Sequence, residues 1–297
     1  TQFLGEHGAI AAYGTVLHMI NHTMIKLVLF TCAGIVYQNT HSLNLNEVQG
    51  FGKGKKLLTI CFGTAALGIM GVPFFNGYIS KTLLHEAIVE KIHFLHEVHG
   101  ATGFFQFAEI IFLVSGGFTV AYMTKLFICL FVKNPTKEWH LHKAYVSKRT
   151  GVVIGTVSAL IFAFGALPHQ TMDKIAALTS DFMGVHPLDH AVHYFSWVNL
   201  KGAVISLAIG AVLYFVVAQF TVITKDKKYV NPWNQKLTVE NLVWRPLVFA
   251  VLPNVLGFIG RVIDKLPEFV LLILRKLFFT DAKVPSTFWE GKKTREE

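Results

Sequence analysis

Apolar residues run along this chain in long continuous blocks, without the strict alternation of half-buried strands. Five blocks, residues 9–37, 57–79, 104–132, 151–167 with some flank, and 202–224, suffice to cross a bilayer core of about 30 Å, because a helix rises about 1.5 Å per residue. Backbone groups in hydrocarbon must be satisfied within their own segment, and the blocks do not alternate, so helices are expected over barrel strands. The predicted fold is an all-α integral membrane protein: a polytopic bundle over residues 1–224, then a tail over 225–297. Between residues 247 and 279 apolar runs mix with Arg261, Asp264, Lys265, Arg275 and Lys276. Pro253 and Pro267 are expected to cut this stretch into pieces too short to span, leaving an amphipathic segment at the membrane surface. The charged end, 291–297, is expected to fray.

Composition agrees with a chain in lipid: 53% of residues are hydrophobic and 15% charged. That excludes a disordered chain, and three cysteines are too few for a secreted disulfide scaffold. The net charge of +9 would raise the question of nucleic acid in a soluble protein, but the basic residues lie mainly between apolar blocks. The connections after the first, third and fifth blocks (the last counted to Arg245) hold three, five and five Lys or Arg. Those after the second and fourth hold two each, so the balance is 13 to 4. Cytoplasmic loops are the ones enriched in Lys and Arg, so the expected topology has the amino terminus outside and the tail in the cytoplasm, in the cell membrane of a bacterium or archaeon. The chain opens at Thr1 with no signal peptide and reads as a piece of a longer polypeptide.

Several polar residues interrupt the apolar blocks. His18, His22 and Lys26 recur every four residues and so share one helix stripe about 12 Å long, beside Asn21 and Thr23. A Lys deep in a span costs about 2.5–3.5 kcal/mol on insertion scales, so it faces protein or water. Eleven residues of the block follow Lys26, a long reach for a snorkelling side chain, and three protonatable groups in a row suit a proton path. A metal held by His18 and His22 is the rival, but the stripe has no further ligand. In the third block Glu109, the pair Gly116-Gly117 and Lys125 stand out. The glycine pair is where so long a helix is expected to break or tilt, with Lys125 exchanging protons at the break; the plainer alternatives are a snorkelling Lys125 and close helix packing. The run Gly71-Val72-Pro73-Phe74-Phe75-Asn76-Gly77 should be kinked or unwound. Histidines between the blocks, His85 among them, read as solvated faces. No zinc spacing, phosphate loop, nucleophile elbow or cluster ligand set appears, so no metal, cofactor or catalytic residue is expected here.

The stretch from His22 to Phe30, with Cys32-Ala33-Gly34 and Gly50-Phe51-Gly52-Lys53 after it, resembles the antiporter-like membrane subunits of respiratory complex I, kin of Mrp antiporters and of energy-converting hydrogenases. The run from Gly71 to Ile79-Ser80-Lys81 is similar to that family's Gly/Pro-rich Ser-Lys motif, and Ala121-Tyr122-Met123-Thr124-Lys125 resembles the helix that follows it. The resemblance covers residues 9–135. It implies the carboxyl-terminal part of a fold of two inverted repeats, Lys26 and His22 on a central hydrophilic axis, and Lys125 on a broken helix near the proton exit. It implies other membrane subunits and the missing amino-terminal half as partners, and no redox cofactor in this chain. Two functions follow: proton translocation in a redox-driven complex, or an Mrp-type sodium/proton antiporter.

Overall fold

The computed structural model describes residues 5–136, 144–184, 192–218, 228–230 and 238–278. The chain divides into two compact units, Thr1–Asn231 and Pro232–Glu297. Residues 291–297, the last six positions of the fifth expected span, and His186 and His190 lie outside the described residues.

In the first unit α1 (Gly5–Thr40) packs against α3 (Lys56–Met70), α4 (Asn76–Glu97), α6 (Lys148–Ala166) and α7 (Met172–Met183). The short α2 (Leu45–Val48) lies in the connection between α1 and α3. Helix α5 (Gly103–Phe127) continues through one π-helical stretch to Val132, and α8 (Trp197–Val212) through another to Ala218; the two pack on each other. Helices α1, α6 and the extended α5 and α8 are each long and apolar enough to cross a bilayer. Large side chains on α5, Ile110, Val114 and Phe118 among them, are exposed away from the cavity that α5 lines with α1, α4 and α8, where lipid would cover them at no hydrophobic cost.

The second expected block is where the chain departs most from its hydropathy. Helix α3 stops at Met70, and α4 begins at Asn76 and runs on to Glu97. The stop is built by Gly71, whose φ of +80° places it in the left-handed region that a side chain disfavours. Its N–H donates to the Gly68 carbonyl and that of Val72 to the Leu67 carbonyl, at 3.0 and 3.1 Å, closing the helix end. Pro73 cannot donate, and Phe74 sits at φ +71°, a strained setting for an aromatic residue. The expectation of a single span over 57–79 followed by a solvated connection is therefore corrected: the connection is itself a helix inside the bundle. Half of its positions are polar, which hides it from a hydropathy reading.

The glycine pair corrects a second expectation. Helix α5 passes through Gly116 and Gly117 without a break. These glycines admit α8 instead: a Cβ at Gly117 would lie 2.4 Å from Ile209 Cγ2, and one at Gly116 2.9 Å from Ser206 Oγ.

The described parts of the first and third basic connections, and residues 228–230 of the fifth, meet at one end of the bundle. Gly50 N–H donates to the Cys129 carbonyl at 2.9 Å and Asn39 Nδ2 to the Tyr145 carbonyl at 3.0 Å. Asn46 exchanges two hydrogen bonds with the backbone of Tyr229, at 2.8 and 2.7 Å.

The second unit contains one long helical run: two π-helical stretches, Glu240–Trp244 and Leu247–Val251, lead into α9 (Leu252–Phe278). Pro253 and Pro267 lie within α9 and do not cut it, which corrects the expected fragmentation; residues 240–274 are long and apolar enough to cross a membrane. The π-helical turns beside Pro246 and Pro253 take up missing donors without ending the helix.

Candidate functional site

The first unit has two apolar cores, and polar side chains fill the space between them. One core holds Ile25, Val28, Cys32, Leu58 and Phe131; the other holds Tyr13, Leu17, Tyr78, Leu83 and Tyr194. On α1 the gap runs from Leu17 to Ile25, about 12 Å of axis, and contains His18, Asn21 and His22. On α4 it contains Asn76, Ser80 and Lys81. Asn21, Asn76 and Ser80 are fully buried, and Asn21 Nδ2 donates to the Asn76 carbonyl at 2.9 Å, tying α1 to the first turn of α4. His18 Nδ1 stands 3.2 Å from Ser80 Oγ. The rings of His18 and His22 are 5.7 Å apart.

A cavity of about 630 Å³ opens beside this layer, lined by His18, His22 and Lys26 of α1, Lys81 and His85 of α4, and side chains of α5 and α8. The whole predicted stripe thus faces one space. Lys26 has an aromatic neighbour, its Nζ lying 5.5 Å from the centre of the Phe30 ring.

Lys81, which hydropathy assigns to a connection, belongs to the same cavity. Its Nζ donates to the Ile69 carbonyl at 2.8 Å, one of the carbonyls that the end of α3 leaves without an intrahelical partner. Its stem crosses Gly71, where a Cβ would lie 2.9 Å from Lys81 Cδ. The break therefore supplies both the acceptor and the passage for the ammonium. Gly77 serves the same junction, since a Cβ there would fall 2.1 Å from the Gly68 carbonyl oxygen. The Ser-Lys pair ending the Gly71–Lys81 run was the sequence signal for this residue.

His85 was read as solvated, yet its side chain is 17% exposed and its Nε2 lies 3.1 Å from Glu109 Oε1 on α5. Hydropathy could not reveal this pairing, which depends on α4 being a helix. Lys125, in the last turn of α5, does not line the cavity, so the structure does not bring it to the stripe.

A second polar cluster lies at the end of the unit opposite the basic connections. Tyr78 donates its hydroxyl to the Tyr194 carbonyl, the Tyr194 hydroxyl donates to Asp173 Oδ1, and Asp173 Oδ2 meets His169 Nδ1 at 2.7 Å. Burial, with the Asp173 carboxylate beside it, pushes the Tyr194 hydroxyl far above its ordinary range, so it remains a donor.

Comparison with known proteins matches the same part of the chain. Residues 3–105 match the family model described as NADH:quinone oxidoreductase/Mrp antiporter, TM. Among curated relatives, NADH-ubiquinone oxidoreductase chain 5 of Aedes aegypti is 31% identical over 110 residues, 37% of this chain and 17% of the relative. The protein of the same name from Lumbricus terrestris is 26% identical over 196 residues, 66% of this chain and 31% of the relative. NAD(P)H-quinone oxidoreductase chain 4 of Prochlorococcus marinus is 28% identical over 86 residues, 29% of this chain and 15% of the relative. The chain thus spans less than a third of the length of these relatives. Residues 3–105, which hold the stripe, the break and Lys81, are therefore the part of the chain that matches the transmembrane family of NADH:quinone oxidoreductases and Mrp antiporters.

Proposed function

We propose that this chain translocates protons across a membrane as one subunit of a redox-driven complex whose electron chemistry resides on other subunits. The observation that carries the reading is the shared cavity, into which one continuous helix brings His18, His22 and Lys26 and a broken helix brings Lys81. The imidazoles beside the two ammoniums are acceptors whose ordinary pKa is near neutral, about 6.5, so a proton leaving an ammonium has a partner within the same cavity. The basic connections gathered at one end support a cytoplasmic placement of that end, so that α4 runs from the break towards the outer side. Relatives named as quinone oxidoreductase chains support redox coupling, and the family model, common to quinone oxidoreductases and Mrp antiporters, keeps sodium/proton antiport as the alternative.

The test is proton uptake by proteoliposomes holding the complete subunit in its assembled complex, for wild type, Lys26→Ala, Lys26→Arg and Lys81→Met at equal complex content. All three variants are expected to lose most translocation, Lys26→Arg included, because a guanidinium with a pKa above about 12 does not release its proton. Wild-type pumping in all three would overturn the reading. Uptake that requires sodium would favour the antiporter instead.

A further inference from the structure

We propose that His85 and Glu109 form a proton-accepting pair on the outer side of Lys81, through which protons leave the cavity; this rests on the translocation reading above. His85 follows Lys81 by four residues on α4, so the two share a face, one turn apart. Helix α4 runs antiparallel to α1. Asn76 meets Asn21, Ser80 meets His18, and Leu83 lies at Gly14, so each turn of α4 moves away from the basic end of the bundle. His85 is therefore the next protonatable side chain beyond Lys81 in the cavity lining, in the outward direction.

The ring is held on three sides. Phe112 stacks on it at 5.8 Å and 15°, Glu109 takes its Nε2, and α8 presents Gly202, where a Cβ would lie 2.9 Å from Nδ1. A neutral imidazole carries one N–H, and the carboxylate at Nε2 fixes that proton there. Nδ1 is then the bare acceptor, on the side where Gly202 and Asn199 line the cavity. The ionic groups at the pair are Lys81 on α4 and Glu109 on α5, with His18, His22 and Lys26 of α1 on the same cavity; α8 faces the ring with glycine.

The transfer balances. A proton from the Lys81 ammonium passes through cavity water to Nδ1, leaving a neutral amine and an imidazolium beside the Glu109 carboxylate. Glu109, 31% exposed, takes the Nε2 proton and releases it to the outer water. The imidazole, now protonated on Nδ1 and bare at Nε2, regains its starting tautomer when Nδ1 gives its proton to cavity water and Nε2 takes one from cavity water, so each cycle moves one proton from the Lys81 ammonium to the outer water.

The test compares His85→Ala and Glu109→Gln with Lys81→Met in the assembled complex in proteoliposomes, with and without added imidazole. Both pair variants should translocate at least about a hundredfold more slowly, the lower end of the usual scale for losing a positioned acid–base group. Imidazole should restore a large part of the rate in His85→Ala and none in Lys81→Met. Wild-type rates in both pair variants, with Lys81→Met inactive, would overturn the pair and leave the translocation reading standing. A loss in His85→Ala that imidazole does not restore, with Glu109→Gln at the wild-type rate, would show that the ring only packs. Wild-type rates in Lys26→Ala, Lys26→Arg and Lys81→Met would instead remove the reading on which the pair rests. If His85→Ala fails to assemble, His85→Gln, which keeps an N–H for Glu109, carries the same expected loss.

Discussion

Lys81 reaches back across the helix break to the carbonyl of Ile69, 2.8 Å from its Nζ, so the residue that needs a partner in a membrane is paired with the backbone group that the break leaves open. Each explains the other: the helical partner of that carbonyl would be the N–H of residue 73, which Pro73 lacks, and an apolar residue at 81 would leave it without this donor.

Gly71 is the position on which this relationship depends. Gly71→Ala meets two penalties, a side chain at φ +80° and a Cβ 2.9 Å from the Lys81 stem. We expect it to lower stability by about 1–3 kcal/mol, the range for a strained backbone position, and to depress translocation by displacing the ammonium. Thermal unfolding of the detergent-solubilised complex and proton uptake measure the two effects; wild-type values in both would show that the break tolerates a side chain.

The stripe on α1 was legible because a period of four residues survives in any continuous helix, and His18, His22 and Lys26 could be placed on one face without knowing their neighbours. Lys81 and His85 were not, because they follow a run whose proline and glycines end the apolar block. A hydropathy reading cannot distinguish a polar helix packed within a bundle from a polar connection outside it. The glycines misled in the opposite direction. Gly116 and Gly117 cost α5 some helix propensity, but contact with α8 at Ser206 and Ile209 uses that missing bulk, and a helix buried on one face keeps its hydrogen bonds. Pro253 and Pro267 likewise signalled ends that the tail helix does not have.

The Tyr194–Asp173 contact predicts an alkaline limit to stability. A phenol whose pKa is raised in the folded protein binds its proton more tightly there than in the unfolded chain, where it is about 10. Its contribution is therefore complete below pH 10 and is lost as pH rises above it. The melting temperature of the complex should fall from about pH 10 upward, and Tyr194→Phe should start lower and show a shallower alkaline slope. Equal slopes in the two proteins would assign the alkaline loss to other groups.

The tail helix has a length that permits either of two placements, and its charge pattern favours one. Arg261, Asp264, Lys265, Glu268 and Lys276 recur at steps that fall mostly on one stripe of α9, with Leu, Ile, Val and Phe around the remainder. A crossing helix would carry that stripe through the hydrocarbon, where each ion costs about 2.5–3.5 kcal/mol on insertion scales, whereas a helix lying in the interface leaves it in water. We expect the second. Asn254 and Lys276 are separated by about 33 Å along the axis, 22 steps of about 1.5 Å, close to the thickness of the bilayer core. Single cysteines at these two positions, in an otherwise cysteine-free chain, should react with a membrane-impermeant maleimide from the same side, the one that also labels a cysteine at Lys53. Labelling of the two positions from opposite sides would establish a crossing helix and overturn the surface placement.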